Sequence, residues 1–350
     1  MAKLIEPKIA ASVARALSGD RSIPPSYLSE RLVRDLEVAV PRAESLVAEV
    51  SGIPAPPPVR WGVVDRSTWA TANIHGMVTM LQPLADRLGR RMDAQPVAAR
   101  LAQRTAVSVE IGALLGFVSR RVLGQYDLLV TEDDPWRTPL YFVGPNMVEI
   151  ERRHGFVPED FALWVAVHEV THRFQFEGVP WLRERFLELI HTYLGAVELD
   201  AKGFTQRLAG AIKRLTSRDV PPEERNPIYL LANEEQRRLI GEIQALMAVV
   251  EGHGNHVMDT VGDQVIPTVG RMRAVFDRRR EQTNVIQRAI GHAIGLEMKL
   301  RQYELGQRFC DEVVSREGSG ALTHLWQDPD HLPNLDELRN PGLWIARVAA

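Results

Sequence analysis

The chain has 350 residues, 45% of them hydrophobic and 25% charged, with a net charge of −3. That is ample length for a sizeable core and an ordinary globular balance. It excludes a general attraction to nucleic acid, and the lone cysteine, Cys310, excludes an intrachain disulfide and a cysteine metal cluster.

In chain order, residues 1–20 read as a weakly amphipathic start, expected to be mobile, ahead of a single domain over 21–350. Glu6, Pro7 and Lys8 interrupt any secretory apolar core. No run approaches the roughly 20 apolar residues of a bilayer span, so a cytoplasmic protein with no membrane association is expected. Ser26 to Val50 spells a helix with Pro41 as a break. Pro54-Ala55-Pro56-Pro57-Pro58 spells an extended connector. Ser67 to Gly89 and Val97 to Leu123 spell long helices, the second with Gly112 and Gly116 placed for close packing. Leu128 to Val130 and Leu140 to Val143 predict short strands of a small sheet.

The next helix carries the chemistry. Pro158-Glu159-Asp160 marks its start, with proline in the first turn and acids at the positive end of the dipole. Gly178 and Pro180 mark its end. Phe161, Trp164, Val165, Val167 and Phe174 surround it with apolar surface, so burial is expected. Within it lies His168-Glu169-Val170-Thr171-His172, an H-E-x-x-H motif. Residues four apart share a helix face, so both imidazoles can reach one ion while Glu169 projects toward a metal-bound water. Chance gives this motif in roughly 2% of shuffled chains. The helical context and the need of buried imidazoles and a carboxylate for partners raise its weight. The bland alternative is a pair of core histidines bonded to carbonyls. Arg173 departs from the uncharged residue usual at that place in active zinc peptidases.

Trp181 to Leu215 continues as a helical stretch, and Pro221, Pro222 and Pro227 mark a loop. A strong pattern then runs through Leu239, Ile243, Leu246 and Val250 to a segment holding Glu251, His253, His256 and Asp259. A catalytic zinc takes three protein ligands. Glu251 and His256 point roughly 140° apart on a regular helix, so one of them is favoured. Glu251 shares an apolar stripe with Met247 and Met258, where a carboxylate needs a partner, and is the expected third ligand. His256 is the alternative ligand, or a catalytic residue oriented by Asp259. His253 reads as a polar-face residue. Thr268 to Arg280 and Asn284 to Glu317 are expected helices, and Arg278-Arg279-Arg280 a solvated face. The tail, with Pro329, Pro333 and Pro341, reads as an irregular strap docked by Leu325, Trp326, Leu343, Trp344 and Ile345.

The stretches Val167 to Phe176 and Val179 to Arg183 resemble the zincin-like metallopeptidase type 2 family, bacterial proteins of which some are described as associated with deazaflavin coenzyme biosynthesis. Val64-Asp65-Arg66, Val122 to Asp127, Val143 to Asn146, Glu251 to Asp259 and Leu343 to Ile345 carry the resemblance along nearly the whole chain. It implies a mainly α zincin-like fold with a small sheet beside the metal helix, a metal-binding core over about 158–260, and hydrolase or peptidase activity. No residues for a deazaflavin coenzyme stand out.

The expected chemistry is hydrolysis of a peptide or small amide with one zinc on His168, His172 and Glu251. Zinc would lower the pKa of its water toward about 7, and Glu169 would take the proton and deliver it to the leaving group. Oxyanion donors are sought in His256, Tyr303 and Arg273. Two other readings stand beside it: a non-catalytic scaffold or regulator stabilised by zinc, with a fourth protein ligand, and a metal-free helical interaction protein.

Overall fold

Helices carry most of the chain in the computed structural model, which describes residues 4–19, 27–92, 96–129, 139–196, 232–281 and 296–348. The expected loop at Pro221, Pro222 and Pro227, and the ends of the stretches expected over 181–215 and 284–317, lie outside these residues. Two compact units divide the chain: Met1–Ala48, Ala55–Phe174 and Val261–Val269 form one, and the remaining segments form the other.

The first unit begins with α1 (Pro7–Leu17). It lies in the segment set apart by sequence, yet Ala10 and Ala14 are fully buried. They seat on α5 (Val97–Val118) at the two glycines. A Cβ on Gly112 would lie 2.4 Å from the Ala10 carbonyl oxygen, and one on Gly116 would lie 2.8 Å from that of Ala14. Only hydrogen at those positions lets the backbones meet, as the sequence predicts. Trp69, Ala70, Ile74 and Leu115 complete this core. Of the described helices, α5 alone is long and apolar enough to cross a membrane by length and composition, with 22% of its apolar window buried. That helix carries charged residues, so it contains no unbroken apolar run of about 20 residues, as the sequence predicts. Arg104 and Glu110 interrupt the run, and Arg104 pairs with Glu6.

α2 (Tyr27–Ser51) runs unbroken through Pro41, where the sequence predicts a break. Leu32, Leu36, Ala39, Val40, Ala43 and Val47 are buried on both sides of the proline. Packing of that face outweighs the hydrogen bond lost to the proline. The stretch 67–89 is instead divided into α3 (Arg66–Met80) and α4 (Gln82–Met92) at Leu81.

The sheet has the order β1-β3-β2. β1 (Trp61–Val64), which the sequence reading missed, pairs parallel with β3 (Leu140–Val143). β2 (Gly124–Tyr126) pairs antiparallel with β3 and lies a few residues before the stretch expected to be a strand. Asp127 turns the chain there: its carboxylate accepts from the Leu129 N–H, 2.9 Å away. α6 (Gly144–His154) leaves β3 directly and ends at left-handed Gly155.

One polar network gathers three of the segments that carry the family resemblance. Asn146 Nδ2 donates to the carbonyls of Ser119 (2.7 Å) and Val122 (2.6 Å), fixing the turn from α5 into β2. Arg66 Nε donates to Asn146 Oδ1 at 2.6 Å. Asp65 caps α3 by accepting from the Thr68 N–H at 2.6 Å. Burial acts to raise its carboxyl, but the bonds from Thr68 and Ser67 outweigh it and hold it below the usual range.

The second unit holds the end of α7 (Pro158–Gly178) and most of α9 (Glu234–Val265), with α8 (Leu182–Ala196), α10 (Val269–Glu281) and α11 (Leu296–Glu317). α9 opens on a capping box. Gln236 N–H donates to Asn233 Oδ1 and Asn233 N–H to Gln236 Oε1, both at 2.8 Å. The tail is not irregular: 3-10 turns at Ser319–Trp326 and Pro329–His331 lead into α12 (Leu335–Arg339) and α13 (Pro341–Val348). Pro329 and Pro341 sit at helix starts, where the missing N–H costs nothing, and Pro333 precedes the Asn334 cap. Trp344 Nε1 donates to the His331 carbonyl at 2.7 Å, and its ring meets Phe309 edge-on. Cys310 is fully buried, which pushes its thiol far up and leaves it inert.

Candidate metal centre

α7 starts at Pro158 and reaches Gly178, as its sequence signals predict. Asp160 in its first turn accepts from the Thr268 hydroxyl at 2.6 Å. Phe161 through Val167 and Val170 are all buried, so this is a core helix into which two imidazoles and a carboxylate have been set.

His168 and His172 are half-buried, and their Nε2 atoms face each other 3.2 Å apart. The rings meet edge-on with centroids at 4.6 Å. Two nitrogens bound to one tetrahedral zinc at about 2.0–2.1 Å stand about 3.3–3.4 Å apart, close to the spacing found, which a direct hydrogen bond between the rings would also give. Glu251, on α9, is 6% exposed. One ligand atom from each of His168, His172 and Glu251 lies within 4.8 Å of the other two. Two imidazoles and a carboxylate are the donor set of a His₂Glu zinc site, and these three residues could hold a metal.

Glu169 is 6% exposed and lies against β2. A Cβ on Gly124 would stand 2.6 Å from Glu169 Cγ and 2.8 Å from its Oε1. With only hydrogen at residue 124, the strand and the Glu169 side chain meet without either having to shift. The sequence reading did not single out Gly124. It lies inside a resemblance segment, but its reason is a contact between distant parts of the chain.

Arg173 is not aimed at the metal face. One residue past His172 it is turned about 100° around the helix and is fully buried. Its guanidinium pairs with Glu44 of α2 and donates to the carbonyls of Pro56, at 3.2 Å, and Pro57. The unusual cation thus ties α7 to the proline connector.

His253 is corrected: it is 1% exposed rather than on a polar face. Its ring meets Trp326 edge-on at 4.9 Å. His256 is half-buried, outside the three-residue group, and its Nδ1 lies 3.0 Å from Asp311 Oδ1. Asp259, the orienting partner expected for it, instead accepts from Arg273 Nε at 2.6 Å and Gln307 Nε2 at 2.8 Å. Arg273 is held by that pairing. Tyr303 lies on α11 among residues whose side chains are outside the described set. A cavity of about 480 Å³ lined by Arg185, Leu189, Arg237, Leu246, Asp330 and Leu335, among others, contains none of the motif residues. The chemistry therefore has to be read from the donor cluster.

The sequence profile of the zincin-like metallopeptidases matches residues 5–345. No curated protein matches the chain. Among solved structures, a crystal structure of a proposed hydrolase with a novel fold from Chloroflexus aurantiacus is similar. It has a TM-score of 0.73 and 32% identity, over 99% of this chain and 99% of that one.

Proposed function

The chain belongs to the zincin-like metallopeptidase family, and from that premise we propose that it is a zinc-dependent hydrolase acting on a peptide or small amide. The observation that carries the reading is the cluster of His168, His172 and Glu251 with the buried carboxylate of Glu169 on the residue after His168. Zinc, when bound, lowers the pKa of a coordinated water toward about 7 and polarises a carbonyl.

The protein's own residues do the rest. His168 and His172 present their ring nitrogens from one helix face, and Glu251 supplies a carboxylate oxygen. Glu169 takes the proton from the attacking water and returns it to the leaving nitrogen. Its place against Gly124 limits where the carboxylate can swing. β2 is an edge strand of the three-stranded sheet, and an edge strand can align an extended peptide by main-chain hydrogen bonds. His256 and Tyr303 stay as candidates for transition-state contacts. The reading takes one zinc per chain, a cytoplasmic setting, and no nucleic-acid or membrane partner. A scaffold with a closed zinc site would need a fourth protein ligand, and among the described residues the donor group has three members.

The test is cleavage of a peptide library by the zinc-loaded protein, with zinc per chain measured by mass spectrometry. Cleavage by wild type and its loss in Glu169→Gln at equal zinc content supports the proposal. Equal cleavage by both proteins refutes it.

A further inference from the structure

We propose that Gln175 is a positioning residue for the metal centre, holding the turn of α9 that carries Glu251. The proposal rests on the zinc reading above.

Gln175 is on α7, one turn after His172, and is fully buried. Its Nε2 donates to the Val250 carbonyl at 2.9 Å and contacts His253 Nδ1 at 3.0 Å. The first bond fixes the orientation of the amide, because a carbonyl oxygen can only accept. The second N–H of the same nitrogen then points at His253 Nδ1, which is therefore the acceptor, with the ring proton on Nε2. One amide thus grips α9 at two points, the residue before Glu251 and the residue two after it.

The grip is made rigid from behind. His253 is wedged edge-on against Trp326, and the Trp326 carbonyl accepts from Trp181 Nε1 at 3.1 Å. Trp181 lies just past the end of α7. The helix that supplies two ligands is thus followed at once by the residues that fix the third. A buried amide with two committed donors has little freedom, so Gln175 holds the turn of α9 from Val250 to His253 that carries Glu251. Partners that orient ligands in this way set metal affinity.

The test is the zinc dissociation constant, read by competition with a chromophoric chelator, beside the thermal midpoint of the metal-free protein. The variants are Gln175→Leu and the double variant Gln175→Leu/His253→Phe, with Gln175→Met as a second route should leucine fail to fold. The double variant removes the imidazole left without its donor and keeps a ring against Trp326. Positioning predicts a zinc Kd raised about 10–100-fold in Gln175→Leu. It also predicts that the Kd stays raised in the double variant while the thermal midpoint recovers. A lower midpoint with zinc Kd within twofold of wild type would overturn the proposal. So would a Kd that recovers together with the midpoint. Failure of the wild type itself to bind zinc would overturn the zinc reading and this proposal with it, and that result is separate from either of the others.

Discussion

Gly124→Ala tests the role of Glu169 without altering a ligand. The added methyl carbon would lie 2.6 Å from Glu169 Cγ, 2.9 Å from Cδ and 2.8 Å from Oε1. Carbon atoms settle at about 3.5–4.0 Å, so the carboxylate or the strand has to move by about 1 Å. The glutamate is the softer partner, because β2 is pinned by its ladder to β3 and by the reciprocal amide pair of Asn73 and Gln125, at 3.1 and 3.2 Å. A 1 Å misplacement of a reacting group costs about 10²-fold in rate, or about 2.7 kcal/mol of barrier. Stability should fall by no more than about 1–3 kcal/mol, the usual range for overpacking. The assay is kcat on a peptide taken from the library, with zinc per chain and the urea midpoint measured on the same protein. Zinc content should be unchanged. In a Glu169→Gln background the same alanine should add little, because the displaced group has already lost its function. Turnover within twofold of wild type in Gly124→Ala would refute the placement of the base against the strand.

Four further outcomes are expected. Glu169→Gln should lower turnover about 10²–10⁴-fold and keep its zinc, as mass spectrometry of the purified protein will show. Glu251→Ala should lose zinc while His256→Ala retains about one per chain, as expected of a three-ligand site; the opposite pattern would make His256 the ligand. Glu44→Ala removes a carboxylate from the buried guanidinium of Arg173 and should lower stability by about 1–3 kcal/mol, read as a shift of the urea midpoint. The last concerns pH. Burial acts to raise the Glu337 carboxyl, but the hydrogen bond from Arg347, the Asn334 N–H and the Arg347 charge outweigh it and hold its pKa below the usual value of 4.5. A depressed carboxylate contributes stability that is present above its unfolded pKa and lost as pH falls through the folded one. The urea midpoint should therefore drop more steeply below about pH 4.5 in wild type than in Glu337→Gln; parallel curves would remove the linkage.

Much of the site was legible because its signals are local. The spacing of His168 and His172, the Pro158 start and the Gly178 stop all act within one helix. Glu251 was favoured over His256 because a carboxylate in an apolar stripe demands a partner, a rule that needs only helical periodicity, and Glu251 is the residue grouped with the two histidines. What stayed hidden depends on contacts between distant segments. Gly124 matters for a side chain on another element, and Gln175 matters for two acceptors on α9. His253 looked polar because its neighbour Trp326 comes from a tail read as irregular. Arg173 looked wrong only while its partners Glu44, Pro56 and Pro57 were unseen. Among the strands, β3 was legible as a fully buried apolar run, Leu140–Val143, whereas β1 and β2 were missed because they are short and only half-buried, so neither alternation nor a continuous apolar run marks them. Pro41 misled because propensity acts on one residue while a whole buried face holds α2 together.

The parallel pairing of Trp61 with Leu140 also orders events in time. α3, α4 and α5 lie between the two strands, so a long loop must close before the pairing returns any free energy. The two imidazoles of α7 are four residues apart, so forming that one helix is enough to bring them to one face. β2 gains its place only when β3 is there to receive it, and Glu251 arrives from far along the chain. On this order of events a half-folded molecule would hold the two histidines of the proposed site but neither Glu251 nor the strand against which Glu169 rests. On the zinc reading, hydrolysis would thereby be confined to chains that have finished folding.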